Sequence, residues 1–393
     1  MDFTFPAEVE EFRKEVRAFM EQELTPEIRD EYEHCTDYPH GFNKAITRKL
    51  GQRGWLTLTW PKEVGGKEAS VWERVVFDEE MAAHHCPIAA HQVSANFAGP
   101  AVVHFATDEQ KQKLLPPITR GESTWGIGLT EPNAGTDLAS VELRAVRDGD
   151  DWVLNGSKMY TEHVQDSDHY FLITRTDPEA PKHRGVSIIV VDPRTPGITM
   201  VPLWTMDGYR VNQVFFEDVR VPGDALIGEE NRGFYHLAMT LNTMRSSGLG
   251  GWTEAQGDLD DLVRYAKETT DNGQPLIEDS WVADGIADFA IYVRISRLLS
   301  YRVASMLESG GPAPDRETAV RGVWGKVYGQ KHVKFANDVM GMAGQVGKYS
   351  PEHAPMLARW QRRYMGAIAG AHNGGTPENI LNTVALRVLG LPR

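Results

Sequence analysis

The chain is poor in cysteine, with only Cys35 and Cys86 among its 393 residues. Two thiols without metal-ligand spacing exclude a disulfide framework, leave a zinc site without support, and are expected to stay reduced. A basic excess is missing as well. Lys and Arg total 41 against 55 Asp and Glu, and the resulting net charge of −14 disfavours nucleic acid and anionic membrane surfaces as partners. The start Met1-Asp2-Phe3-Thr4-Phe5-Pro6 is acidic and short of apolar length, so it reads as neither a secretion signal nor a spanning helix. A cytoplasmic protein is expected, one that neither binds nucleic acid nor inserts into a membrane. Internal repeats and low-complexity segments are also lacking. What remains is an apolar content of 41%, enough to bury sizeable cores in two or three domains of ordinary composition.

The hydrophobic period changes twice along the chain. Over residues 7–24 Val9, Phe12, Val16 and Phe19 recur at three and four, which predicts an amphipathic helix. Residues 71–84 repeat that style with Val75 and Met81, after a turn over residues 61–66. Between Trp125 and Pro222 the pattern becomes short β-rich runs: Trp152-Val153-Leu154, Tyr170-Phe171-Leu172-Ile173-Thr174, Val186-Ser187-Ile188-Ile189-Val190-Val191 and Gln213-Val214-Phe215-Phe216. Asp148-Gly149-Asp150, Asn155-Gly156 and proline clusters separate them, and a small antiparallel β domain is predicted. Past Gly233 helical spacing returns, as in Val282, Ile286, Phe289 and Val293.

Two segments carry the chemistry. Gly126-Ile127-Gly128-Leu129-Thr130-Glu131-Pro132-Asn133-Ala134-Gly135-Thr136-Asp137 sets a proline, an asparagine and a glycine between an extended apolar approach and a polar exit. Backbone N–H groups and two threonine hydroxyls can converge there on a planar polar ligand. Lys158-Met159-Tyr160-Thr161-Glu162 can bring an aromatic ring and a side-chain partner to the same ligand.

Together these segments resemble the acyl-CoA dehydrogenase family. Residues 129–137 are similar to its flavin and acyl-CoA loop, with Thr136 in the serine place, and residues 155–162 to its strand against the flavin ring. Phe215-Phe216-Glu217-Asp218-Val219-Arg220-Val221-Pro222 with Leu226-Ile227-Gly228 resembles the junction into the last helical domain. Gly374-Gly375-Thr376-Pro377-Glu378 and the final Arg387-Val388-Leu389-Gly390-Leu391-Pro392-Arg393 resemble the C-terminal signature of a large bacterial branch.

The resemblance implies an α+β fold: an N-terminal helical domain (1–122), a middle antiparallel β domain (123–228) and a C-terminal four-helix bundle (229–393). It implies FAD between the last two domains, an acyl-CoA substrate, an electron-transfer protein as acceptor and a dimer of dimers. The reaction is α,β-dehydrogenation: a carboxylate takes the α proton while the β hydrogen leaves as hydride to the flavin. Leu129 and Thr130 would meet the ring's pyrimidine edge, Thr136 would lie near flavin or CoA, and Tyr160 would cover the ring beside Thr161 and Glu162. Gly341, Gly344, Thr376 and Glu378 complete the cofactor contacts implied by the family pattern.

The sequence departs from that pattern at the base. The two family positions for the catalytic Glu correspond to Gly374 and to Met244 before Arg245, and neither Gly nor Met accepts a proton. Glu162 stands where the family offers a hydroxyl toward the flavin. Thr269, Ser280 and Asp338 replace an Arg and two Gln of the adenine and diphosphate contacts, removing donors and adding negative charge. Two readings follow. One is a base-lacking subunit of a heteromer (α2β2) that resembles enzymes of steroid degradation. The other is an atypical thioester oxidase or lyase with Glu162 or His91 as proton acceptor, Arg245 being a further candidate.

Overall fold

The computed structural model describes residues 4–34, 41–245, 247–310, 314–347, 349–350, 352–372 and 374–392, with backbone alone for 31–34, 242–243 and 245. Cys35 and the side chain of Arg245 therefore lie outside the described residues. Cys86 is a free thiol, and burial pushes its pKa up.

Seven helices open the chain: α1 (Ala7–Glu23), α2 (Pro26–His34), α3 (Lys44–Gln52), α4 (Val71–Ala83), α5 (Ala89–Val93), α6 (Gly99–Phe105) and α7 (Asp108–Thr119). The spacing read in α1 is the buried stripe Val9, Val16, Phe19 and Met20. Ser70 and Glu73 cap α4 reciprocally, each side chain bonding the other's backbone N–H, which satisfies two donors a helix start leaves open. Thr107 and Gln110 do the same for α7. Helices α1, α3 and α4 close around Trp55, Phe19, Phe77 and Leu50.

Eight strands follow: β1 (Trp125–Gly128), β2 (Arg144–Asp148), β3 (Asp151–Thr161), β4 (His169–Arg175), β5 (Val186–Val191), β6 (Ile198–Trp204), β7 (Arg210–Pro222) and β8 (Leu226–Ile227). Their order is β6-β7-β3-β2-β4-β5-β8, with β1 also on β4. Antiparallel pairs dominate, but the sheet is mixed: β1 runs parallel to β4 from Trp125 opposite His169, and β2 meets β4 in parallel at Arg144 opposite Arg175. Both lie along one edge of β4, so residues 129–143 leave the sheet between them and return to the same edge. Run patterning cannot reveal this, because strand direction depends on the path of the chain between strands.

In β4 Phe171 and Ile173 belong to the core shared with the helices, while Tyr170 and Leu172 belong to the opposite core. Burial on both faces explains its unbroken apolar run.

The C-terminal part is helical: α8 (Gly233–Arg245), α9 (Trp252–Glu268), α10 (Ser280–Glu308), α11 (Asp315–Met340), α12 (Arg359–His372) and α13 (Pro377–Thr383). A two-stranded hairpin, β9 (Thr270–Asp271) and β10 (Gln274–Pro275), joins α9 to α10. Leu262, Phe289, Val293, Ala336 and Trp360 fill the core of α9 to α12. No helix among the described residues is long and apolar enough to cross a membrane.

Candidate functional site

The loop over residues 129–143 is held from both ends. Glu131 closes a tight turn with Ala134 through two backbone hydrogen bonds of 2.9 and 3.1 Å. Its carboxylate lies inside, accepting from the N–H groups of Glu142 and Leu143 and, at 2.7 Å, from Lys158 Nζ. Lys158 is fully buried and also donates to the Leu129 carbonyl at 3.0 Å. Burial pulls the Lys158 ammonium down to about 8, against the opposing pull of Glu131. At the far end Arg175 donates to the carbonyls of Ala139 and Val141. Glu131 and Lys158, one in each of the two motif segments, thus fix the loop, and their opposite charges are the signal in the sequence that pairs them.

With the Met159 N–H bonded to the Thr130 carbonyl at 2.8 Å, Leu129 and Thr130 are set beside the strand that carries Tyr160. The carbonyls of both are engaged, so this stretch has its N–H groups and the Thr130 hydroxyl to offer a ligand. Tyr160 sits where the register of β3 against β7 slips, at φ 58°, with its side chain 60% exposed. A bulge re-aims a side chain in this way. Thr161 turns inward instead: its hydroxyl is buried and pairs with Tyr170 Oη at 2.7 Å, and its carbonyl accepts from Asn212 Nδ2 at 3.1 Å. Glu162 follows, half-buried, and His163 adopts φ 55° with Nε2 3.2 Å from Tyr209 Oη. Thr136 is exposed on the loop.

The other expected cofactor contacts lie elsewhere. Gly341 and Gly344 form the turn ending α11. Thr376 caps α13 by accepting from the Asn379 N–H, and Glu378 lies in that helix's first turn, held below the usual carboxylate range by its own backbone N–H and by Thr376. Asp338 is paired with Lys334 at 2.6 Å, and Asp279, beside Ser280, caps α10. The sheet side therefore fits a flavin ring. The residues at the adenine and diphosphate positions, Thr269, Ser280 and Asp338, do not fit a dianion, since none of them is a cation and Asp338 is a carboxylate already paired with Lys334.

Met244 and Gly374 line one cavity of about 410 Å³, together with residues of α9, α10, α11 and α13. Asp315 is the carboxylate among its described lining residues, which include neither Glu nor His. On spacing alone Glu254, ten positions after Met244, is expected on the same helix, but the chain breaks between them: Met244 lies in the last turn of α8 and Glu254 on the separate helix α9, engaged with Arg363 at 2.6 Å. His91 lies in α5, 1% exposed, with neither ring nitrogen in hydrogen-bond geometry. Burial pulls its pKa down to about 4, against an opposing pull from the Ser123 backbone. It does not line the cavity.

Three consecutive family models match: acyl-CoA dehydrogenase N-terminal domain over residues 6–122, middle domain over 126–219 and C-terminal domain over 231–389. The chain is 33% identical to acyl-CoA dehydrogenase FadE26 of Mycobacterium tuberculosis, an alignment covering 100% of this chain and 99% of that one. Among solved structures, the Tcur3481-Tcur3483 steroid ACAD superposes with a TM-score of 0.90 at 33% identity, with 100% of both chains covered. The ChsE4-ChsE5 complex from Mycobacterium tuberculosis superposes with a TM-score of 0.89 at 32% identity, again over 100% of both chains. Helical, β and helical parts in this order, the pinned loop of residues 129–143 and the end-to-end match together establish that the chain belongs to the acyl-CoA dehydrogenase family, a family of flavoprotein oxidoreductases acting on CH–CH bonds.

Proposed function

We propose that this chain is the base-lacking subunit of a heteromeric acyl-CoA dehydrogenase, arranged as α2β2, that works on the thioester of a ring-bearing acyl group and passes electrons to an electron-transfer protein. One observation carries the reading. The two positions at which the family places its Glu, Met244 and Gly374, face a common cavity whose described lining holds no Glu. A homologous subunit bearing that Glu supplies the proton acceptor. The same subunit supplies cationic contacts to the FAD diphosphate, which Thr269, Ser280 and Asp338 do not offer. In this chain Leu129, Thr130, Tyr160 and Glu162 form the ring-side surface, with Thr136 at its edge. FAD brings the hydride acceptor, and the protein brings position and electrostatics. Residues 1–122, 123–228 and 229–393 are taken as the three domains. Assembly as a pair of unlike subunits agrees with the ChsE4-ChsE5 complex and with the Tcur3481-Tcur3483 steroid ACAD, on both of which the chain superposes.

An oxidase or lyase running on His91 has less support, because that imidazole is enclosed, away from the cavity. The deciding experiment compares the chain alone with the chain co-expressed beside a homologue that carries Glu before the α8 arginine. Flavin per protein and acyl-CoA turnover are both expected to be low alone and restored in the pair. Stoichiometric flavin and good turnover in the chain alone would overturn the reading.

A further inference from the structure

Lys158 does more for the ring-side surface than anchor the loop. A buried ion pair is often no more stabilising than apolar residues of the same volume, so two charges sunk inside this loop call for a use besides holding it. Their arrangement supplies one.

The negative end is neutralised within the loop. Glu131 accepts from the N–H groups of Glu142 and Leu143 as well as from Lys158. The Arg175 guanidinium also lies within its field, Glu131 opposing the downward pull of burial on that group.

The positive end meets the backbone of the ring-side surface. Lys158 Nζ, on a side chain with no exposed area, donates to the Leu129 carbonyl at 3.0 Å. That carbonyl and the Thr130 N–H belong to one peptide group. A carbonyl polarised by an ammonium leaves the N–H of its own peptide a stronger donor. The Thr130 N–H makes no hydrogen bond among the described residues, while the Thr130 carbonyl is fixed by the Met159 N–H at 2.8 Å. The donor is therefore held in place and left to a ligand.

A charge of opposite sign stands on the same surface. Glu162 follows β3, half-buried, and a carboxylate there opposes negative charge on a neighbouring ring. A positive counter-charge on the other side of the surface offsets it.

We propose that Lys158 is a positioning residue for the flavin: through the Leu129–Thr130 peptide its ammonium strengthens the N–H offered to the ring's pyrimidine edge and makes electron uptake by the ring more favourable. The inference rests on the ring-side surface proposed above. Reduction by two electrons places negative charge along that edge, and a fixed donor aimed where charge grows favours the charged form.

The test uses the chain co-expressed with the Glu-bearing homologue. Lys158→Met combined with Glu131→Gln removes both charges, strands neither, and keeps an oxygen for the Glu142 and Leu143 N–H groups. The midpoint potential of the bound flavin, read at equilibrium with a reference dye, is expected to fall by about 30 mV, which is about tenfold in the two-electron equilibrium constant. A second measurement needs no substitution. In the wild-type assembly reconstituted with flavin carrying 13C at C2, that resonance should lie downfield of the same flavin in water, as a polarised carbonyl requires. An unchanged potential in the flavin-bearing double variant, or a wild-type C2 resonance no further downfield than in water, would overturn the role of Lys158 and leave the flavin surface standing. An assembly that takes up no flavin would overturn that surface, and this inference with it.

Discussion

Lys158 of β3 and Glu131 of the loop beyond β1 form a buried pair at 2.7 Å, 27 residues apart in sequence. Each is the other's means of staying inside, because an ion left alone in such surroundings loses its hydration without compensation.

Removing one member should therefore be severe. Lys158→Met leaves a buried carboxylate with two backbone donors, and Glu131→Gln leaves a buried ammonium; a loss of about 3–5 kcal/mol is expected for each. The double substitution should cost less than the sum. Urea unfolding of the four chains measures the coupling, and additive losses would show that the two residues act apart.

Tyr160 holds a left-handed backbone, φ 58°, that costs a non-glycine residue about 1–2 kcal/mol. Tyr160→Gly should melt no lower than the wild type while flavin affinity in the assembled protein drops severalfold. Equal flavin retention in the two proteins would mean that the exposed ring has no part in holding the cofactor.

His91 gives the chain a pH dependence of known sign. Folded, the imidazole stays neutral to about pH 4, whereas its ordinary value is 6.5. Between those values the unfolded chain binds more protons, so the stabilisation is complete above pH 6.5 and is lost as pH falls toward 4, by roughly 3 kcal/mol. His91→Phe should flatten that share of the slope in unfolding measured at pH 7 and pH 5. A variant with the wild-type slope would place the titration elsewhere.

Glu79 of α4 joins the N-terminal and C-terminal helices. Its buried carboxylate accepts from Arg13 at 2.7 Å, the Trp252 indole at 3.0 Å and Tyr301 Oη at 2.9 Å, while its carbonyl accepts from Thr253. Glu79→Ala strands two ring donors and leaves the Arg13 guanidinium only its longer contacts to Glu10 at 3.4 Å and Glu80 at 3.5 Å, and a loss of about 3 kcal/mol is expected. Because Trp252 walls the cavity, its fluorescence should also change. Unaltered emission with reduced stability would separate the network from the cavity.

Much of this was legible in the chain. The stripe Val9, Val16, Phe19 is set by the 3.6-residue period, and runs such as Tyr170 to Thr174 announce strands buried on both faces. The loop motif names its own chemistry, and Gly374 and Met244 are visible as residues without a titratable group. Local rules determined these because each depends on neighbours a few positions away.

The tertiary structure decided the rest. Only the folded chain brings Gly374 and Met244, 130 positions apart in the numbering, to one cavity wall. Only there do Glu131 and Lys158 become a pair, does the Thr161 hydroxyl turn from the expected ligand to Tyr170, and do Ser300 and Thr318 face the same space. The physical reason is that burial and pairing are properties of surfaces brought together across the chain. Desolvation acts on a group according to everything packed around it, and a linear pattern does not contain that information.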